Sequence, residues 1–198
     1  TMAGYVDIVN LLLSAYDADV TVASMDGLHP LLAACATGRA TVIRSILASR
    51  SFDPRALNKA DEAGTTPLLA CIHANHDDAA GVLLTHPQYG HHVDCNVADA
   101  HGNTALHLAV RGGRTELFDH LTRISDRPRG RAMNNPHRNA ANVFGDSPLL
   151  LACLRADRHM VEVLLGQGGD KAQCNADGLS PHAYVDSEGP AWLEHLLN

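Results

Sequence analysis

The stretch Gly64-Thr-Thr-Pro-Leu-Leu-Ala-Cys71 decides how this chain folds. Gly64 offers the positive φ of a tight turn, and Thr66 offers a hydroxyl that can cap a helix. Pro67 then stands at the first helical position, where its missing N–H leaves nothing unpaired. The apolar run behind it supplies the body of a helix. The same arrangement recurs in Gly27-Leu-His-Pro-Leu-Leu-Ala-Ala34, Gly102-Asn-Thr-Ala-Leu-His-Leu-Ala109, Gly145-Asp-Ser-Pro-Leu-Leu-Leu-Ala152 and Gly178-Leu-Ser-Pro-His-Ala-Tyr-Val185, with Thr104, Ser147 and Ser180 as further caps. The five glycines are spaced by 37, 38, 43 and 33 residues. A recurrence of this kind predicts a repeat protein whose units bury their apolar faces against one another.

A second apolar cluster follows each cap position after an interval that allows one helix and a turn: Val42-Ile43 with Ile46-Leu47, Val82-Leu83-Leu84, Leu117-Phe118 with Leu121, and Val161 with Val163-Leu164-Leu165. The i, i+3, i+4 spacing is that of an amphipathic helix. Each unit therefore reads as helix, turn, helix. Gly38 and Gly113 fall where the first helix needs a left-handed cap, and Asn75 and Ala156 hold the equivalent places in the other two units.

At Gly102-Asn-Thr-Ala-Leu-His-Leu-Ala109 the chain resembles the ankyrin repeat, whose signature is Thr-Pro-Leu-His-x-Ala in a period of about 33 residues. The resemblance extends along essentially the whole chain. Ala105 replaces the signature proline in that copy, and the signature histidine is replaced by Leu32, Leu69, Leu150 and Ala183 in the others. The expected architecture is an all-α solenoid of about six helix-turn-helix repeats joined by short hairpin-like loops, forming a single domain over 1–198. Its repeats are expected at 1–26 (partial), 27–63, 64–101, 102–144, 145–177 and 178–198, the last a C-terminal cap with Trp192 covering the end of the stack. Gly4 to Leu13 matches only the second half of a repeat, so a fragment of a longer protein is expected. Helical solenoids of the tetratricopeptide or HEAT type lack the Gly-x-Thr-Pro-Leu turn.

Composition narrows the functional classes. The 198 residues are 45% hydrophobic and 4% aromatic, so the core must be built from Leu, Val, Ile and Ala. A net charge of −7 argues against nonspecific adhesion to nucleic acid or an anionic membrane. No apolar run reaches the length of a membrane span, and the start lacks the pattern of a signal peptide. Five cysteines without a tight framework read as reduced thiols, which places the chain inside the cell, in cytoplasm or nucleus. Cys35, Cys71 and Cys153 lie in the Ala-rich helical stretches and are expected in the core.

Catalytic constellations are missing from the sequence. It holds no Gly-x-Ser-x-Gly elbow, no phosphate-binding Gly-Lys-Thr loop and no His-Glu-x-x-His. His73, His76, His86, His91, His92 and Cys95 gather in one region, but without the paired spacing of a zinc site, so no metal and no cofactor are expected. His107, the signature histidine, reads as a framework residue.

What remains is binding. The resemblance implies that hairpin tips and the exposed ends of first helices form a concave recognition face for a protein or peptide. Carried onto this sequence, that face holds Met25, Asp26, Leu28, Glu62, His73, His101, Asn103, Arg111, Phe144, Asp146, Leu154 and Arg155. Phe144 with Arg111 and Arg155 is the favoured cluster, because an aromatic anchor beside arginines is a common makeup of a hot spot. The family hairpin also carries an Asn six residues before the Gly, matched here by Asn58, Asn96 and Asn139 but not by Thr21 or Ala172. The period excesses of 4, 5 and 10 residues over 33 all fall between the second helix and that hairpin. The longest, 123–138, carries Arg123, Arg127, Arg129, Arg131 and Arg138, an alternative docking loop for acidic, phosphorylated or nucleic-acid ligands. Without interleaved aromatics it is a poor nucleic-acid site. The reading is thus a non-catalytic, monomeric interaction module, the adaptor or substrate-recruiting part of a larger protein, with no small-molecule substrate.

Overall fold

The computed structural model describes residues 22–124, 138–187 and 189–197, together with Leu11 and Asp19. From Val22 onward the described residues hold ten α-helices and no strand. They divide between two compact units, Thr1–Asp94 and Cys95–Asn198, a boundary that falls inside the repeat expected at 64–101. The first unit contains α1 (Pro30–Ala36), α2 (Ala40–Leu47), α3 (Pro67–His73) and α4 (Asp77–Thr85). In it α1 packs on both α2 and α3, and α4 packs on both α2 and α3. The second contains α5 (Ala105–Gly112), α6 (Thr115–Ile124), α7 (Pro148–Leu154), α8 (Arg158–Gly166), α9 (Pro181–Ser187) and α10 (Ala191–Leu197), where α7 packs between α5 and α9.

Helices of seven to ten residues are too short to persist alone, so packing must hold them. Leu31, Leu32, Leu68 and Leu69 in the first unit, and Leu106, Leu149 and Leu150 in the second, are essentially inaccessible to water. Each contributes roughly 1.5–3 kcal/mol on burial. Cys35, Cys71 and Cys153 lie among them as expected. Burial pushes the Cys153 thiol up to about 12, which keeps it protonated and unreactive. The carboxyl-terminal helix is sealed by Leu193 and Leu197; Trp192 is half-buried beneath the guanidinium of Arg158, 5.9 Å from the ring centre.

The helix starts follow the sequence reading. Thr66, Ser147 and Ser180 accept the amide N–H of Leu69, Leu150 and Ala183 at 3.4, 3.2 and 3.1 Å. At the equivalent place in the first full repeat stands His29, not named above as a cap, and it does the same work. Its Nδ1 accepts from the Leu32 N–H at 3.4 Å, which leaves Nε2 to donate to the Lys59 carbonyl of the following hairpin at 3.2 Å. His107 in the second unit works from the third helical position, with Thr104 as the cap. Its Nδ1 accepts from the Thr104 N–H at 3.2 Å and Nε2 donates to the Asp146 carbonyl at 3.1 Å. Both imidazoles are thus one specific neutral tautomer joining a helix start to the following hairpin.

The residues in excess of the basic period prove structural in the first unit. Those after α2 form a 3-10 turn, Pro54–Leu57, that buries Phe52, Ala56 and Leu57. Those after α4 place Tyr89 edge-on against Phe52 with ring centres 4.9 Å apart, and stacked on His86 at 5.2 Å. These two excesses supply aromatic packing that the helices lack, which is physical reason enough for their length.

Asparagine six residues before the tip glycine joins neighbouring repeats. Asn58 donates to the His92 carbonyl at 2.7 Å and accepts from the Asp94 N–H at 2.8 Å. Asn139 repeats the pattern with the Gly168 carbonyl at 3.3 Å and the Asp170 N–H at 2.9 Å. In each pair one carboxamide satisfies a donor and an acceptor of the next loop.

Two predictions follow from the caps. Ala156 closes α7 at φ +54°, the left-handed region that an L-residue occupies at a cost of about 1 kcal/mol. Ala156→Gly is expected to raise the midpoint of thermal unfolding by about 2–4 °C, and an unchanged or lower midpoint would show that the site carries no strain. Burial holds the His29 and His107 imidazoles below the usual histidine pKa, against the opposing pull of their carbonyl partners. An unfolded chain then binds more protons, so stability is full above about pH 6.5 and declines as the pH falls toward the lowered folded values. His29→Thr restores a hydroxyl cap without a titrating ring. Its loss of thermal stability between about pH 7.5 and about pH 5.5 should be smaller than that of the parent; equal losses would contradict the assignment.

Candidate interaction surface

The hairpin tips are built on four side chains that the sequence reading passed over. Each lies three residues before a tip glycine. The Asp61 carboxylate accepts from the N–H groups of Ala63 and Thr65 at 3.0 and 2.8 Å, and Asp99 accepts from His101 and Asn103 at 2.9 and 2.8 Å. The Asn142 carbonyl oxygen accepts from Phe144 and Asp146 at 2.9 and 3.0 Å, and Asn175 accepts from Asp177 and Leu179 at 3.0 and 2.9 Å. One oxygen thereby satisfies two backbone donors and closes the loop. The available signal was the Asp or Asn at that place in four of the five copies, Ser24 being the exception.

Neighbouring tips are then tied through their backbones. In the first unit the Glu62 N–H donates to the Asp26 carbonyl at 3.3 Å. In the second, the Val143 N–H donates to His101 at 3.0 Å and the Ala176 N–H to Phe144 at 2.9 Å. This ladder explains Gly145. It stands at φ +80°, and a Cβ there would come 2.7 Å from the Ala176 nitrogen, so no side chain fits between the two tips.

With the backbone engaged on one side, the tip side chains project outward. In the first unit Met25 is 97% exposed, and Asp26, Leu28, Glu62 and His73 are exposed as expected. In the second unit Phe144 is 57% exposed and Leu154 44%, with His101, Arg111 and Arg155 also exposed. Val143, outside the favoured set, adds a further exposed apolar side chain at 61%.

Two members of the expected set belong to the framework instead. Asn103 is 1% exposed: its amide donates to the Asp99 carboxylate, and its oxygen accepts from Asn142 at 3.1 Å. A side chain so enclosed cannot touch a partner. Asp146 is half-buried, and its carboxylate accepts from Asn175 at 2.9 Å. Both link one hairpin to another, a role that position in the repeat does not distinguish from surface display.

The favoured cluster is partly assembled. Arg155, at the end of α7, donates through Nη1 to the Arg111 carbonyl at the end of α5, 3.0 Å away. Its guanidinium lies against Gly113, where a Cβ would collide with it. Among the described residues no guanidinium or aromatic ring stacks on Phe144. Of the basic insertion, Arg123 pairs with Asp119 at 3.4 Å and Arg138 donates to Gln167 at 3.0 Å. Arg127, Arg129 and Arg131 lie outside the described residues. His73, His76, His86, His91, His92 and Cys95 do not converge; among the described residues no group of three or more His, Cys, Asp or Glu is arranged to hold a metal ion. No helix there is long and apolar enough to cross a membrane.

Comparison with curated proteins gives no match. The family described as ankyrin repeats (3 copies) matches residues 1–96 and again 53–127. Proteins of this family are generally non-catalytic modules that bind other proteins. With helix pairs, left-handed tip glycines and capped first helices repeating along both units, the chain belongs to the ankyrin-repeat family.

Proposed function

We propose that this chain is a non-catalytic interaction module, monomeric and intracellular, which holds a protein or peptide against the tips and first-helix ends of its repeats as the recruiting part of a larger protein. The observation that carries the reading is Phe144. Its N–H is held by Asn142 and its carbonyl by Ala176, while its ring faces solvent. An aromatic side chain exposed on a backbone already locked loses little freedom on binding, which is the economical way to build an anchor. Val143, Leu154, Arg111 and Arg155 surround the same region of the repeats in sequence and are exposed with it. In the first unit Met25 and Leu28 offer a second apolar tip, beside Asp26 and Glu62.

The alternative, docking of acidic or phosphorylated ligands on the insertion 123–138, draws less support. Its two described arginines are each engaged by a neighbour, Arg123 by Asp119 and Arg138 by Gln167.

Phe144→Ala should leave the fold intact, because the ring contributes little to the core, and should weaken capture of a specific protein partner by about tenfold or more. The check is quantitative affinity capture from cell extract, comparing the parent chain, Phe144→Ala and a deletion of 127–138. Partners lost only on the deletion would favour the insertion, and partners indifferent to both changes would remove Phe144 from the site.

A further inference from the structure

The second unit carries positive charge beside one of its exposed apolar residues, Leu154. Three guanidinium groups gather about the turn that ends α5. Arg111 is the penultimate residue of that helix and is exposed; the Arg114 side chain runs along Gly112, its Nε 3.0 Å from where a Cβ would be. Arg155 reaches across from α7, rests on Gly113 and donates to the Arg111 carbonyl. Two successive glycines therefore leave the room into which Arg114 and Arg155 settle. That single bond occupies one of the five N–H donors of the Arg155 guanidinium. Among the described residues no carboxylate forms an ion pair with Arg111 or Arg155. The acids of the neighbouring tips are Asp99, which closes its own loop, Asp146, bound by Asn175, and Asp177 at the following hairpin. In a chain of net charge −7, unneutralised arginines set beside Leu154 are a local reversal of sign.

Resting on the interaction-module reading, we infer that the second unit takes a peptide segment in which carboxylates flank an apolar residue. The apolar residue packs on Leu154, and the carboxylates meet the guanidinium groups of Arg111 and Arg155 on either side of it. Arginine suits this pairing because its planar fork accepts a carboxylate through two parallel hydrogen bonds. The positive groups also speed encounter with an acidic segment, at a rate that falls as salt rises.

A random-peptide display library selected on the whole chain tests this, followed by affinities of the enriched synthetic peptides for the parent, Arg155→Gln, Arg155→Lys, Arg111→Gln and Phe144→Ala, each first shown to keep its helical circular dichroism. The expected result is enrichment of peptides with Asp or Glu beside a large apolar residue. Their affinity should fall about tenfold in either Gln variant, fall with added salt, and fall by a smaller factor in Arg155→Lys, which keeps the charge without the fork. Peptides without acidic bias that still require Phe144 would overturn this inference while leaving the interaction-module reading in place. Peptides indifferent to every variant would overturn both, and a selection without enrichment would overturn the inference.

Discussion

Four of the five tips depend on one small lock, an Asp or Asn oxygen that accepts two backbone N–H groups across a glycine in the left-handed region. Each such bond contributes about 0.5–1.5 kcal/mol net to holding the loop closed. With the lock, the tip has one conformation, and its remaining N–H and carbonyl groups point at the next tip. In the second unit Asn142 shows the economy of the device: its oxygen closes its own loop while its amide donates to Asn103 of the preceding hairpin. The stacked helices then need only bury their leucines, because the spacing between repeats is already set by the backbone ladder.

The histidines belong to the same logic. His29 caps its helix with one nitrogen, His107 completes a capping box with Thr104, and each holds the following hairpin with the other nitrogen. They do so as buried neutral rings, which makes these contacts sensitive to acid. Thr66 and Ser147 cap at the place that His29 holds, by a purely local bond. The chain thus has two kinds of helix start, one purely local and one that also carries coupling along the stack.

Much of this was legible in the sequence, and the exceptions are instructive. Gly, cap and Pro stand at fixed offsets, so the five first helices and their left-handed caps at Gly38, Asn75, Gly113 and Ala156 follow from local rules alone. His29 escaped as a cap because imidazole is an uncommon donor-acceptor there, and its role needs the Lys59 carbonyl, thirty residues away, to be visible. Asn103 was read as surface because it occupies a surface position of the repeat; only the contact with Asn142 shows that it is enclosed. The extra residues around Phe52 and Tyr89 looked like loop length, since sequence spacing alone does not reveal that two rings from successive repeats meet. The exposure of Phe144, by contrast, was foreseeable because the resemblance puts the residue before the tip glycine on the surface.

The account turns on the rigidity of that tip, and amide hydrogen exchange reads it directly. In the parent chain the amides of Val143, Phe144, Asp146 and Ala176 should exchange as slowly as those in the body of α7, and Asn142→Ala should speed the Phe144 and Asp146 amides while α7 stays protected. Exchange of these four amides at the rate of an open loop in the parent chain, or no change on removing the Asn142 carboxamide, would contradict the claim that the lock holds the tip and presents Phe144.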